Sequence, residues 1–455
     1  MNKTANRMNK FIEENNIHKS FLWNNLPAIF YDEKYIIFSP YAKKLVNLKQ
    51  QELNKQTIKE TLKQQGFFGN PKEKDDDDKL GIMLYLTSAC NLKCIYCFDD
   101  KKCSDCPIRP KEENKVMTPE IAINYLDLIL KNRKRISNNI NKLKLTIHFF
   151  GGEPTLMMKT IKEVVKFIEQ KKINVEFRIS TNGVTTEENI QYLLNKKFLF
   201  DIACDGKPEI HDRQRPSKIG FKSSFFTERM IKQIVKNKGK VRTKVVVTKD
   251  STKNMPETVE YLSKLGINHI RLEPVLLDGR AETNKLKGID YDEFVEYFMQ
   301  SIRKARELSK KYNRNIWISN RVTRDLFEPT KFSCKLIEGN WLIISPTGKI
   351  SKCVRNIHSE NKSPFVVGSI EKNNLKINKE KYTTLKNISV DKFDKCKNCF
   401  AKYICSGDCI NENYESTGNL TIPKEKNCQL TRKLIYNLII EMFNLSKTAD
   451  EINHL

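Results

Sequence analysis

Strand-like and helix-like stretches alternate between residues 80 and 320, and this alternation constrains the fold more than any other feature of the 455-residue chain. Each of six apolar stretches is followed by a helical pattern, which makes six consecutive βα units. Such a series predicts an α/β fold with a parallel sheet, either wound open or curled into a partial barrel. The six predicted strands cover residues 82–87, 143–150, 175–180, 199–204, 244–248 and 269–272.

Unusual residues follow the first four predicted strands, at the point where each strand ends. They are a cysteine loop, then Gly151-Gly152-Glu153-Pro154, then Ser180-Thr181-Asn182-Gly183, and finally Asp205-Gly206. Ligands of parallel α/β folds bind at the carboxyl ends of the strands. The sequence therefore predicts one functional site at this edge of the sheet.

The loop after the first strand carries three cysteines in the spacing C-x3-C-x2-C, at Cys90, Cys94 and Cys97. A four-iron cluster takes four ligands, so three thiolates would leave one iron open to another molecule. Structural zinc also binds thiolates, but it would want a fourth ligand nearby. Both interpretations remain open on the spacing alone.

The residues after the second predicted strand are suited to binding a ligand. Gly151 and Gly152 let the backbone approach a ligand closely, and the Glu153 carboxylate can accept hydrogen bonds from an ammonium group. In isolation such a run would be a turn with a stray acid. Beside three thiolates it is suited to hold the amino group of a metal-bound amino acid.

The cysteine loop, with an aromatic residue directly before its last cysteine, resembles the signature of the radical SAM superfamily. The residues that match are Cys90, Cys94, Tyr96 and Cys97. The resemblance implies a partial (β/α)6 TIM-like barrel and a [4Fe–4S] cluster whose open iron is chelated by S-adenosylmethionine. One electron from the cluster would then split this cofactor into methionine and a 5′-deoxyadenosyl radical.

The same resemblance assigns contacts with S-adenosylmethionine. Glu153 would receive its amino group, Tyr96 would lie near the adenine, and Ser180 and Asn182 would lie near the ribose. The residues predicted to bind the cofactor are Tyr96, Gly151, Gly152, Glu153, Ser180, Asn182 and Asp205.

Seven cysteines near the C-terminus resemble the SPASM extension, which in that superfamily binds two auxiliary iron–sulfur clusters. By this resemblance the first auxiliary cluster would be held by three cysteines and keep one iron free for a substrate thiolate, and the second would be fully ligated by four. A pair of zinc ribbons is the alternative, but it leaves a seventh cysteine unused. The two predicted sets are Cys334, Cys353 and Cys409, and then Cys396, Cys399, Cys405 and Cys428.

Three of the thirteen cysteines remain. Cys103 and Cys106 could supply a missing ligand or a redox pair, or could be free thiols in a polar loop. Cys204, at the end of the fourth strand, is most simply a small buried residue. The sequence shows neither a secretion signal nor a stretch of about 18 apolar residues, so a reducing cytoplasm and no membrane partner are expected.

The predicted domains are residues 1–79, residues 80–320 with the barrel, and residues 321–455 with the auxiliary clusters. The first is predicted to be a small α+β domain that either recognises the leader of a precursor peptide or only caps the barrel. The formal charge of +26 favours an acidic partner such as an acidic leader, although scattered lysines without a target would give the same number.

Residues 204–215 resemble a stretch shared by peptide thioether maturases of the sactipeptide and ranthipeptide types and by anaerobic sulfatase-maturing enzymes, except that Lys207 is inserted before Pro208. His211 in this stretch could be catalytic, or could be a structural histidine paired with a carboxylate. The sulfatase-maturing group carries an aspartate directly after the cysteine that Cys353 matches. Val354 stands there in this chain, which disfavours that activity.

The resemblance implies an enzyme that matures a ribosomally synthesised, cysteine-containing precursor peptide by forming a thioether crosslink. An electron donor such as flavodoxin or ferredoxin would reduce the cluster. Alternatives within catalysis are carbon–carbon or carbon–oxygen crosslinking, epimerisation and sulfatase-type maturation. A zinc-bearing nucleic-acid-binding protein is the alternative outside catalysis, and it is disfavoured because no basic stretch interleaved with aromatics stands out.

Overall fold

The structure is a computed structural model that describes residues 19–72, 79–99, 116–132 and 144–446. Cys103 and Cys106 lie outside the described residues. Among those described, the strands are β1 (Phe21–Trp23), β2 (Leu26–Tyr31), β3 (Lys34–Ser39), β4 (Lys44–Leu48), β5 (Lys79–Tyr85), β6 (Lys144–Phe150), β7 (Val175–Thr181), β8 (Leu199–Ala203), β9 (Val241–Val247), β10 (His269–Pro274), β11 (Trp317–Ser319), β12 (Trp341–Ile344), β13 (Lys349–Ser351), β14 (Val366–Glu371) and β15 (Asn374–Ile377).

The α-helices lie between these strands, and several of them follow a strand of the barrel directly. In chain order they are α1 (Gln56–Gln64), α2 (Pro119–Lys131), α3 (Met158–Gln170), α4 (Glu187–Asn195), α5 (Pro208–Gln214), α6 (Ser223–Lys236), α7 (Met255–Lys264), α8 (Arg280–Thr283), α9 (Tyr291–Tyr312), α10 (Lys335–Glu338), α11 (Lys379–Lys386), α12 (Lys402–Cys405), α13 (Ile410–Thr417) and α14 (Glu425–Ser446).

Strands β5 to β11 pair in sequence order, and every pairing among them is parallel. The predicted α/β fold with a parallel sheet is therefore confirmed. The short strand β11 was not predicted. Its three residues are too few to give a periodic signal in the sequence.

The two faces of the parallel strands have different chemistry because successive side chains point to opposite sides. On the outer face, residues such as Ile147, Ile179 and Ile202 pack with the helices in one large apolar core. The opposite face, which we call the inner face, carries His148, Ser180 and other polar side chains. Polar residues on the inner face of a parallel sheet point to a ligand-binding interior.

The sheet continues beyond the parallel strands. Strand β12 pairs in parallel with β5, and β13 to β15 add antiparallel strands, which gives eleven strands in one sheet of the described chain. The C-terminal residues thus extend the barrel sheet across the predicted boundary at residue 320. The three domain boundaries themselves remain predictions.

The N-terminal strands β1 to β4 form a separate antiparallel meander with its own apolar core. Strands β2 and β3 form a hairpin in this sheet, and α1 follows β4. This sheet lies against α14, since the Tyr436 hydroxyl donates to the Phe30 carbonyl at 2.9 Å and Tyr31 meets Phe443 edge to face. Leader recognition and capping both remain predictions. Within the described residues, no helix is both long and apolar enough to cross a membrane.

Candidate radical site at the strand ends

The cysteine loop, residues 90–97, follows β5 and is held from two sides by backbone hydrogen bonds. On one side the Glu153 amide donates to the Ala89 carbonyl at 2.9 Å, just before the loop. On the other side, the amides of Lys93 and Ile95 donate to the carbonyls of Pro216 and Gln214 at 2.7 and 2.9 Å. The loop is therefore fixed by the residues that follow β6 and β8, as expected when several strand ends build one site.

The thiols of Cys90, Cys94 and Cys97 lie close enough to influence one another electrostatically. Burial raises the pKa of Cys90 to about 12 and that of Cys97 to about 11, and it also raises the pKa of Cys94. Such thiols keep their protons at neutral pH until a metal displaces them. Three partly buried thiols grouped in one loop fit an iron–sulfur cluster, which binds thiolates.

Glu153 is fully buried and is held by the strand end after β7. One carboxylate oxygen, Oε1, accepts from the Thr181 hydroxyl at 2.7 Å and from both the amide and the hydroxyl of Thr155. The other, Oε2, accepts from the Asn182 amide at 2.8 Å. Burial raises the pKa of Glu153, and these hydrogen bonds oppose the rise. Since Oε2 accepts a single bond here, it keeps capacity for a ligand ammonium group, and that role remains a prediction.

The glycines before Glu153 allow the two loops to touch. A Cβ atom on Gly152 would lie 2.4 Å from the Ala89 carbonyl oxygen and 2.7 Å from that of Ser88. Gly151 has a φ of +147°, and its Cβ would lie 2.5 Å from the Thr87 carbonyl oxygen. The sequence explained these glycines by close approach to a ligand. In the structure the close approach is to the backbone of the cysteine loop.

Tyr96, predicted to lie near the adenine, belongs to a buried network. Its hydroxyl donates to the Asp205 carboxylate, which also forms a two-pronged ion pair with Arg215 at 2.9 and 2.9 Å. Arg215 in turn directs Nη1 to the Cys94 sulfur at 3.9 Å. Although burial opposes it, the Arg215 guanidinium holds the pKa of Asp205 below its ordinary value. Arg215 ended the stretch that carried the family resemblance but was not singled out from the sequence.

Asn182 and Ser180, predicted near the ribose, reach different surroundings. The Asn182 side-chain amide donates to Asn91 Oδ1 at 2.8 Å and contacts the Cys90 sulfur at 3.6 Å, which places it against the cysteine loop. Ser180 on the inner face lies 2.8 Å from His148 Nε2. Burial lowers the pKa of His148 to about 4, so this imidazole is neutral at pH 7. His148 belongs to no motif in the sequence. The only sequence signal that could have identified it is its place among the inward-facing residues of its strand.

Lys244 is a second inner-face residue without a motif. Lys244 lies in register with Ala203 on β8 and with Arg271 on β10. Protein surrounds its side chain, but solvent can still reach it. Burial within the sheet lowers its pKa. A solvent-accessible ammonium facing the interior is chemically suited to a carboxylate of a ligand or substrate.

His211 differs from its predicted pairing with a carboxylate. Its Nδ1 accepts from the backbone amide of Asp205 at 3.3 Å, and its buried Nε2 has no hydrogen-bond partner among the described residues. Burial lowers its pKa to about 4, with Arg215 adding to the effect. The neutral ring therefore supports the turn that presents Asp205.

The C-terminal cysteines fall into the two predicted neighbourhoods. Electrostatic interactions link Cys396, Cys399, Cys405 and Cys428 with one another, and link Cys353 with both Cys334 and Cys409. Burial raises the pKa of Cys353 and of Cys428 to about 11. The ligand assignment itself remains a prediction.

Arginines lie beside both cysteine sets. Burial raises the pKa of Cys409 to about 12 and that of Cys428 to about 11, and the charges of Arg321 and Arg432 oppose the rise at Cys409 and Cys428, respectively. Arg321 also binds Asp408 and Glu412, with Nη1 2.6 Å from the Glu412 carboxylate. Neither arginine was found from the sequence, because nothing in the local pattern marks it.

The described residues hold no group of three or more cysteine, histidine or acidic side chains compact enough for a single metal ion. A lone zinc draws its sulfurs to about 2.3 Å from one centre, whereas a four-iron cluster binds each thiolate at a different iron. Neighbouring thiols that are not in direct contact therefore still provide the sulfur donors that an iron–sulfur cluster needs.

Comparison with known proteins agrees with this geometry. Residues 84–206 match the model of the Radical SAM superfamily. The cysteine-type anaerobic sulfatase-maturating enzyme of Clostridium novyi is 28% identical over 220 residues, which is 46% of this chain and 55% of that enzyme. The chain thus matches about half the length of this relative.

Two solved structures share the fold. The structure described as "Native anSMEcpe with bound AdoMet" has a TM-score of 0.63 at 18% identity, over 82% of this chain and 100% of that one. Streptococcus suis SuiB bound to the precursor peptide SuiA has a TM-score of 0.54 at 13% identity, over 90% of this chain and 100% of that one. Residues 84–206 thus match the radical SAM model, and the chain is similar to a sulfatase-maturating enzyme and shares the fold of these two structures.

Proposed function

We propose that this protein is a radical SAM maturase that modifies a ribosomally synthesised precursor peptide. The observation that carries the proposal is the cysteine loop at the end of β5, fixed against the Gly-Gly-Glu-Pro turn and the Asp205–Arg215 pair. Cys90, Cys94 and Cys97 would hold the [4Fe–4S] cluster. When bound, the cluster and S-adenosylmethionine supply a 5′-deoxyadenosyl radical.

The protein's own residues would position the cofactor and exclude water. Oε2 of Glu153 would accept from the amino group, and Arg215 would keep a positive charge beside the Cys94 thiolate. The polar inner face, with Ser180 and His148, would line the space that the cofactor and the peptide share. We assign Tyr96 to positioning, since its hydroxyl is engaged by Asp205.

A thioether crosslink is our proposal for the product. The neighbouring thiols of Cys334, Cys353 and Cys409 support it, because a cluster with three protein ligands would leave one iron for a substrate thiolate. The fourfold group of Cys396, Cys399, Cys405 and Cys428 would complete the second auxiliary cluster. A cysteine-containing peptide with an acidic leader is the proposed substrate, in keeping with the charge of +26.

Sulfatase-type maturation is the second candidate, favoured by the similarity to the Clostridium novyi enzyme. The product mass separates the two. Incubation of the holoenzyme with the peptide encoded beside its own gene should lower the peptide mass by two hydrogens and remove one free thiol. A product that keeps all free thiols, or that loses sulfur, would contradict thioether formation.

The cluster assignment is tested first without any peptide. Anaerobically reconstituted protein should be brown, contain about twelve irons from three four-iron clusters, and cleave S-adenosylmethionine when dithionite is added. Cys94→Ala should abolish cleavage and lower the iron content by about four. Cys204→Ala is the matched control, because Cys204 is also buried but lies outside every predicted ligand set. Cleavage that persists in Cys94→Ala would refute the assignment.

A further inference from the structure

An exposed patch lies on the outside of the cysteine loop. Residues 216–218 pair with this loop as an antiparallel bridge. The backbone amide of Lys93 donates to the Pro216 carbonyl at 2.7 Å, and the backbone amide of Lys218 donates to the Asn91 carbonyl at 3.2 Å. Leu92 in the middle of the bridge is buried. Since side chains alternate along extended backbone, Lys93 and Lys218 point away from the core, and both are exposed.

The same segment presents large apolar side chains to solvent. Ile219 is 86% exposed and Phe225 is 64% exposed, the two highest values among the large exposed apolar residues of the described chain. Phe225 packs edge to face on Phe226, which in turn packs on Phe221. We call Lys93, Lys218, Ile219, Lys222 and Phe225 the loop patch. Exposed apolar groups within a polar rim mark interaction surfaces.

The charge of this surface has one sign. Residues 213–226 contain no acidic residue and four basic ones, of which Arg213, Lys218 and Lys222 are exposed and Arg215 is buried against Asp205. The carboxylate of Asp212, just before them, accepts hydrogen bonds from the hydroxyl and the amide of Ser224 at 2.9 and 2.7 Å. A basic rim around an apolar centre is complementary to an acidic protein surface, and such complementarity speeds transient association.

The patch also lies next to the proposed cluster. Lys93 precedes Cys94 in the chain, and Arg215, one residue before the bridge, contacts the Cys94 sulfur at 3.9 Å. Complexes that transfer electrons between proteins bury small interfaces, at the low end of the size range. A small patch on the segment that pairs with the cysteine loop fits that kind of encounter.

We infer that the loop patch is the docking surface for an acidic one-electron carrier protein of the flavodoxin or ferredoxin type. The inference rests on the proposed function, because that function requires an external electron. One electron would pass from the reduced carrier to the cluster that Cys90, Cys94 and Cys97 would hold, and the carrier would leave oxidised by one electron. No bond is made or broken between the two proteins.

Charge reversal tests the inference. The anaerobic holoenzyme would be given S-adenosylmethionine and either dithionite, reduced flavodoxin or a reduced two-cluster ferredoxin, and 5′-deoxyadenosine would be measured. The double variant Lys218→Glu/Lys222→Glu should raise the KM for the protein carrier about tenfold or more while leaving the dithionite-driven rate unchanged. The variant Ile219→Ser/Phe225→Ser should raise the same KM without altering its dependence on salt.

Lys236→Glu/Lys240→Glu is the matched control, since these exposed lysines lie at the opposite end of α6 and before β9. It should leave every rate unchanged. An unaltered carrier KM in the Lys218→Glu/Lys222→Glu variant would overturn the inference, as would wild-type turnover with dithionite but with neither carrier. Absence of dithionite-driven cleavage in the wild type would instead refute the proposed function, and the inference with it.

Discussion

A single carboxylate, Asp205, connects most of the chemistry at the strand ends. It accepts from Tyr96, pairs with Arg215 through two hydrogen bonds and accepts from the Val246 amide at 2.9 Å. Both members of the ion pair are buried. Burying two charges costs free energy, and the attraction between them offsets this cost only when the geometry is good. The main effect of the pair is therefore to specify one arrangement of the loop after β8, and its net contribution to stability is smaller.

Asp205→Asn should therefore be strongly destabilising. The substitution leaves the Arg215 charge buried without its counterion, which typically costs about 3–5 kcal/mol. Anaerobic denaturant titration of the holoenzyme would measure the change in the free energy of unfolding. Asp250→Asn, at an exposed aspartate, should change it by less than about 0.5 kcal/mol. Equal stability of the two variants would show that the buried pair does not form.

Among the elements, the contact between the loops after β5 and β6 matters most for the site. The turn after β6 approaches so closely that the Gly152 amide donates to the Thr87 carbonyl at 2.7 Å, and the next amide reaches Ala89. At this contact the loop after β6 has two glycines, Gly151 and Gly152, and therefore no side chain. The position of the three cysteines therefore depends on the absence of a Cβ atom at Gly152, which follows a different strand.

Gly152→Ala should displace the cysteine loop, because its Cβ would lie 2.4 Å from a backbone oxygen that has no side-chain freedom to move. We expect the purified variant to lose about four irons and its dithionite-driven cleavage of S-adenosylmethionine, while far-UV circular dichroism stays unchanged. Gly288→Ala provides the comparison, since its Cβ would meet only Leu277 at 3.4 Å. Full iron content in Gly152→Ala would argue against this role.

Across the whole molecule, burial of neutral histidines links stability to pH. The pKa of His148 is about 4 in the folded protein, because burial disfavours the charged ring, and about 6.5 in an unfolded chain. Between these values the unfolded chain binds more protons, so the folded state loses stability as the pH falls from about 6.5 toward 4. His211 and His269, both also at about 4, act in the same direction.

His148→Gln should remove one part of this dependence. Linkage gives a loss of about 2 kcal/mol from His148 between pH 8 and pH 5, and the variant should lack that loss. Anaerobic thermal unfolding of both proteins at the two pH values would measure it, and taking the difference cancels acid damage to the clusters that both share. Parallel pH dependence of the two melting temperatures would mean that His148 titrates normally.

Local patterns in the sequence predicted the parallel α/β fold and the grouping of unusual residues at the ends of its strands. They could do so because strand and helix periods differ, and because parallel strands bring their carboxyl ends to one edge. The resemblance to the radical SAM superfamily was carried by Cys90, Cys94, Tyr96 and Cys97, which lie within eight consecutive residues. These features are local in the chain, so local patterns were enough to find them.

Only the tertiary structure decided which partners the site residues have. Arg215, His148, Lys244 and Arg321 became visible there, since each acquires its surroundings from strands or loops far away in the sequence. Glu153 is an example, because its carboxylate is engaged by residues from the end of β7. Burial and charge at a side chain are sums over long-range neighbours, and a one-dimensional pattern contains no record of them.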